Sequence, residues 1–241
     1  MKKTTIFLAS LFVFCNIAKA QIWIPSADFQ SYKTLHLNLD TYDSTAKESD
    51  GTRKGVLHSV GMVAGVLPCD KIQAEAGFNL MYQGTSADDY PLYLQGKIGT
   101  PENALFEDSP AVLGGVYNVG FKNDVTNQDI FYGLVAKTFP VVGRFAAGYY
   151  TGNDKIFVDE NGKKANDGIL LSWDRTMKEI SDRLWFSADY QSGDSALGAL
   201  SFGFSWDFSE NTSVLLGYDI YNNDKVSGKD TFTVQVDIDF L

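Results

Sequence analysis

Few side chains in this sequence are placed to break bonds. There are two histidines, His36 and His58. A catalytic imidazole needs a nucleophile and an orienting group within hydrogen-bond reach. No serine is placed by a motif to partner His36, which reads as a polar residue of a strand. The tract Asp159-Glu160-Asn161-Gly162 has the composition of a calcium loop. With Gly162 at the sixth position, however, Phe157 falls at the first, where a carboxylate is required, so an EF-hand is excluded. The sequence contains no metal-binding histidine helix, no Walker loop and no dinucleotide fingerprint. No cofactor, no metal and no enzyme activity are expected. What recurs instead is a polar side chain at every second position of long extended segments. The row comprises His36, Asn38, Asp40, Gln73, Glu75, Asn79, Gln95, Lys97, Arg144, Ser172, Asp174, Asp189, Asp219, Gln235, Asp237 and Asp239. Such a row is suited to lining a wet space. Acids outnumber bases in it, which favours cations or neutral solutes over anions if that space conducts.

The elements that carry this row are strands. In 230–241, Phe232, Val234, Val236, Ile238 and Phe240 share one face, and Thr233, Gln235, Asp237 and Asp239 share the other. A period of two over this length is a strand with one apolar and one polar face. The same reading gives twelve strands, at 33–42, 54–67, 71–82, 91–99, 111–121, 129–139, 144–151, 168–176, 183–191, 196–208, 212–221 and 230–241. The segments 54–67 and 111–121 have an unclear register. Between strands, 68–70, 140–143 and 209–211 are short turns, 177–182 is a turn with room for one helical turn, and 100–110 is a longer acidic connection. The loop 192–195 is also short, and the other connections are longer and more polar, 152–167 most of all. An even strand count puts both ends of the chain on one side.

The first twenty residues read as an export leader. Lys2 and Lys3 precede an apolar run, and Ala18-Lys19-Ala20 is a small-x-small cleavage site, so the mature chain is expected to begin at Gln21. Removing the leader takes three lysines and no acids from 20 basic and 30 acidic side chains, which leaves a balance of −13. That balance disfavours nucleic acid and anionic lipid surfaces as partners. Cys69 is the one remaining thiol, so the fold rests on no internal disulfide. No uncharged stretch after residue 20 reaches the ~20 residues of a helical span.

Strands of roughly ten residues match the 9–11 that cross a bilayer when tilted. Five of the six odd strands end in tyrosine: Tyr42, Tyr82, Tyr149 with Tyr150, Tyr190 and Tyr221. The opposite rim gathers Phe139, Phe145, Trp185, Phe186, Trp206, Phe208 and Phe240, and two such bands read as interfacial girdles. With the leader and the closing strand, the whole mature chain resembles bacterial outer-membrane β-barrels of porin-like type. One departure is that Leu241 follows the terminal aromatic Phe240.

The resemblance implies an all-β, closed up-and-down antiparallel transmembrane β-barrel of about 12 strands. Residues 1–20 are then a cleaved signal peptide, 21–32 a periplasmic lead-in and 33–241 the barrel. The first and last strands pair, because backbone groups in lipid must all be bonded. The implied setting is a monomer in outer-membrane lipid, inserted by the barrel-insertion machinery through its last strand. Two main functions are compatible with it. One is a channel for small solutes, weakly cation-preferring or neutral. The other is a non-conducting barrel that acts through loops 43–53 and 152–167, with Arg144 or Lys97 paired across the lumen to acids as the plug. A third is an outer-membrane hydrolase, but outer-membrane phospholipases use a Ser–His–Asn set on the lipid-facing side, whereas His36 is on the lumen face.

Overall fold

A computed structural model describes residues 21–48 and 50–240. The proposed leader and Leu241 lie outside the described residues. Twelve strands form: β1 Leu35–Ser44, β2 Leu57–Gly65, β3 Gln73–Tyr82, β4 Leu92–Thr100, β5 Ala111–Gly120, β6 Ile130–Phe139, β7 Gly143–Thr151, β8 Asp167–Thr176, β9 Leu184–Gln191, β10 Ala199–Ser209, β11 Thr212–Tyr221 and β12 Thr231–Phe240. Each pairs antiparallel with its neighbours in sequence, and β1 pairs with β12 to close the barrel. The seam runs without a register break from Leu35 opposite Phe240 to Ser44 opposite Thr231. Closure leaves no sheet edge, which is the condition for a sheet to stand in lipid.

Alternation sets which face looks out. On β12, Thr231, Thr233, Gln235, Asp237 and Asp239 are buried, while Phe232 and Phe240 are exposed. On β10, Ser201 and Ser205 are buried, while Leu200, Phe202, Phe204, Trp206 and Phe208 are exposed. Leu39, Phe78, Leu94, Val135 and Leu171 extend the same exposed apolar belt. A belt of this extent does not belong in water; it is the lipid-facing wall. The register of β2, open in the sequence, is resolved with Ser59, Gly61 and Val63 inward and His58 outward. On β5, Ala111 and Leu113 face in and Val112 faces out. Residues 177–183 form turns and no helix. The one α-helical turn among the described residues, α1 Asp224–Ser227, and the 3-10 turn Ser86–Asp89 are in connections at the long-loop end. That end is extracellular in barrels of this kind, and the short turns are periplasmic.

The aromatic bands divide. Tyr82, Tyr149, Phe139, Phe145, Trp206, Phe208 and Phe240 are exposed on the outer wall, with Phe186 beside Trp173 there. Tyr42, Tyr150, Tyr221 and Trp185 are not girdle residues. They fall on the inward parity of their strands and point into the barrel. The residues expected to lead in from the periplasm, 21–32, run inside the ring of strands. Ile22 and Ile24 are buried at 2% and 4% exposure.

Replacing the mid-strand, outward Phe204 with Arg should cost about 2–4 kcal/mol. Denaturant unfolding from lipid vesicles measures it, and an unchanged midpoint would mean that this face does not contact lipid.

Candidate functional site: the lumen and the segment within it

The interior has two sectors of different chemistry. From β5 to β8 the inner wall carries an apolar patch above the Arg144–Asp174 pair: Ala111, Leu113, Ile130, Leu134, Ala136, Ala146, Tyr150 and Leu170 are all buried. These strands carry apolar residues on both parities because lipid covers one face and protein covers the other. The cover is the N-terminal segment, whose Ile24 and Ala27 join that cluster, with Trp23 and Phe29 packed against it. Ile22 sits with Trp185 and Leu215 in a second cluster. Each large apolar side chain so buried contributes about 1.5–3 kcal/mol.

The segment enters at the periplasmic end of β2. Tyr32 bridges Gly65 in parallel, and Lys33 N donates to Gly65 O at 3.0 Å. A Cβ on Gly65 would lie 2.0 Å from Ser31 O, so this close crossing requires glycine. Polar wall residues then fix the segment's backbone. Ile22 N and Trp23 N donate to Asp189 Oδ2 at 2.8 and 3.3 Å. Ile22 O accepts from Gln235 Nε2 at 2.9 Å and from Tyr42 OH at 3.3 Å. Lys97 Nζ donates to Ser26 O at 2.9 Å, and Gln30 N to Glu75 Oε2 at 2.8 Å. Arg144 pairs with Asp28, and Gln21 Nε2 donates to Asp174 Oδ2 at 2.9 Å. Trp23 is held by edge-on contacts with Tyr42 and Tyr221 and by a hydrogen bond from its Nε1 to Leu197 O at 2.8 Å.

The charged pairs lie along the wall, not across the lumen. Lys97 and Glu75 are direct cross-strand partners, 3.1 Å apart, and so are Arg144 and Asp174, at 3.0 Å. His36 lies between Asp239, its partner across the seam at 2.8 Å, and Asp237, at 3.2 Å. Of the other residues expected to line the lumen, Asn38 Nδ2 donates to Asp40 Oδ2 at 2.7 Å, and Gln95 Nε2 to Asn79 Oδ1 at 3.3 Å. Asp219 accepts from Ser201 at 2.6 Å and Thr231 at 2.8 Å. Ser172 is buried on the inward face of β8, and Gln73, half-buried, shares the face of Glu75. The sixteen residues therefore separate into groups. Asp174, Asp189, Gln235, Lys97, Glu75 and Arg144 grip the segment, whereas Asn38, Asp40, Asn79 and Gln95 face open space.

Two cavities open in that space. The lower, about 220 Å³, is bounded by the segment and by His36, Asn38, Glu75, Gln95, Lys97 and Tyr132. The upper, about 340 Å³, is a vestibule bounded by Lys54, Tyr93, Asn118, Gln128, Phe157 and Tyr221 among others. Trp23, Asp40, Tyr42, Asn79 and Tyr117 line both and mark the constriction between them. Gly61, inward on β2, leaves the room in which the Asn38 and Asn79 amides converge. Connections cross part of the mouth. Lys54 Nζ donates to Ser227 O, and Lys225 pairs with Glu160 at 2.9 Å, an ion pair that holds the Glu160 carboxyl below its ordinary range. Burial pushes the Lys54 ammonium down from its usual value.

Trp23, Tyr42 and Tyr117 were not among the residues expected to line the lumen. For Tyr42 the signal was present, since it keeps the parity of His36, Asn38 and Asp40.

The architecture is similar to that of solved bacterial porins. The KdgM porin matches with a TM-score of 0.54 at 10% identity, over 86% of this chain and 99% of that one. The structure of the KdgM porin in complex with disordered oligogalacturonate matches at 0.56 and 11%, over the same shares. No protein-family model matches the chain, and no curated protein matches it in sequence. At such identities the likeness shows the fold alone, a closed antiparallel β-barrel.

The hold on the segment is testable by labelling. With Cys69 changed to Ser, a cysteine at Ala27 should resist a soluble maleimide. Adding Asp189→Ala, which removes the acceptor of two backbone amides, should raise the labelling rate roughly tenfold to a hundredfold. Equal rates in the two proteins would show that Asp189 does not hold the segment.

Proposed function

We propose that this protein is an outer-membrane channel through which small solutes diffuse, and that they pass along the β1–β5 side of the lumen. The observation that carries the reading is the pair of cavities meeting at Trp23, Asp40, Tyr42, Asn79 and Tyr117. The N-terminal segment runs from Glu75 and Lys97 on β3 and β4 to Asp189 and Gln235 on β9 and β12, and narrows the passage. Twelve strands lie between eight, whose interior side chains fill, and the 16–18 that leave a wide aqueous channel. A narrow route beside an internal segment suits that size.

Charge selects among solutes. Lys97 and Arg144 are each compensated by adjacent carboxylates, while Asp40 at the constriction has the Asn38 amide as its partner. A carboxylate at a narrow point, when ionised, favours cations and neutral solutes and opposes anions. The KdgM porin was solved with oligogalacturonate, a chain of carboxylates; the balance here supports a different cargo. Catalysis is disfavoured by geometry. His36 is clamped between two aspartates, and His58 faces outward with Thr41 Oγ1 at 3.2 Å. The protein acts as a single barrel in outer-membrane lipid, and β12 is the strand that the insertion machinery reads.

A second reading, a sealed barrel with a loop-borne role, draws on the buried segment and on the loop ties Lys54–Ser227 and Lys225–Glu160. Planar-bilayer recording separates the two. The channel reading expects unitary steps, a cation-directed reversal potential in a salt gradient, loss of that preference in Asp40→Asn, and about a twofold or larger rise in conductance in Trp23→Ala as the constriction widens. Silence from protein shown to be folded by heat-modifiable gel mobility would select the sealed barrel. An anion-directed reversal potential would refute the assigned role of Asp40.

A further inference from the structure

The outer wall carries an apolar hollow of about 520 Å³ across β6 to β10, within the roughly 300–1,000 Å³ range of small-molecule sites. Ala147 on β7 and Ala188 on β9 give it depth, because their neighbours Phe145, Trp173 and Leu200 are bulky. Trp173 bonds through Nε1 to Val142 O, in the β6–β7 turn, at 2.9 Å. The β6–β8 side of the hollow therefore reaches the periplasmic rim, while Tyr190 and Leu200 bound it toward the other end of β9 and β10.

At the periplasmic rim the wall carries charge. Lys137 is on the lipid-facing parity of β6, two residues before its end. A cation on that face is costly unless its ammonium reaches headgroup level. Its Nζ is 3.5 Å from Asp108 and 4.0 Å from Glu102, both from the 101–110 connection. Thr138 fixes Glu102, donating from N at 3.1 Å and from Oγ1 at 2.8 Å. Asp108 is 88% exposed at its side chain. Arg175, on the outward parity of β8 beyond Trp173, pairs with Glu179 at 2.8 Å, so the rim presents two cations, Lys137 and Arg175, beside three carboxylates. A purely anionic headgroup meets a net negative edge there. A headgroup with a phosphate and an ammonium meets a partner for each.

We propose that the hollow is a binding site for one zwitterionic phospholipid of the phosphatidylethanolamine type in the periplasmic leaflet. An acyl chain lies over Ala147 and Ala188, the phosphate meets Lys137, and the ethanolammonium meets Asp108 and Glu102. The site needs only the lipid-facing wall and is independent of solute passage.

Native mass spectrometry of the full chain, delipidated and refolded in detergent, tests it by titration with palmitoyl-oleoyl phosphatidylethanolamine and, separately, the phosphatidylglycerol analogue. The expected result is one saturable adduct, half-filled at about tenfold lower concentration of the ethanolamine lipid. Ala188→Phe, which fills the hollow, should abolish the adduct; Lys137→Gln should weaken it for both lipids without narrowing the preference, because the carboxylates remain. Heat-modifiable mobility confirms folding, and Ala147→Phe replaces Ala188→Phe if the latter does not fold. Equal binding of the two lipids, an adduct that survives the filled hollow, or a barrel dimer occupying this face would each overturn the proposal.

Discussion

The structure depends on the cost of an unpaired backbone group in hydrocarbon. Without water to bond to, every strand N–H and C=O needs a protein partner, and only a sheet without edges provides one throughout. The β1–β12 seam meets that demand, with ten consecutive residue pairs from Leu35–Phe240 to Ser44–Thr231. Closure then fixes the direction of each side chain. A shift of one residue anywhere would turn a whole strand inside out, and so the alternation is strict on β10 and β12.

Closure also creates a problem inside. A ring of twelve strands encloses more space than its own side chains fill. On the β5–β8 side the inner wall carries a large apolar patch, and such a patch is unfavourable against water. The N-terminal segment resolves this with Ile24, Ala27 and Phe29 against the wall. Its backbone would then be a buried polar strand without a ladder, so Asp189, Gln235, Lys97 and Glu75 supply partners. Several carboxylates that look in sequence like channel lining are thus ligands of the segment. What is left to the passage is the β1–β5 face, where Asp40 and the amides of Asn38, Asn79 and Gln95 meet the cavities.

Strand count, strand bounds and the seam were legible because a period of two over ten residues is hard to produce otherwise. The interior was less so, for identifiable reasons. Tyr42, Tyr150, Tyr221 and Trp185 lie at strand ends, where position suggests a girdle, but parity decides direction and points them inward. The strand β5, with apolar residues on both parities, gave no register from alternation. That doubling was itself a signal that something covers the inner face, and 21–32, with Ile22, Trp23, Ile24, Ala27 and Phe29, is the chain's matching apolar stretch. Cross-lumen ion pairs were a poor guess physically. Glu75 with Lys97 and Arg144 with Asp174 are neighbours on adjacent strands, a far shorter reach.

A fold does not name a cargo, and here the contents of the lumen matter more than the wall. The central claim is that the chain's own first described residues line and narrow its interior. Methyl-labelled nuclear magnetic resonance of the refolded protein in bicelles addresses it directly. The account predicts nuclear Overhauser contacts from the Ile24 methyls to the inner-wall methyls of Leu113, Leu134 and Leu170. Ile24 methyls at random-coil shifts, with those wall methyls in contact with water, would contradict it.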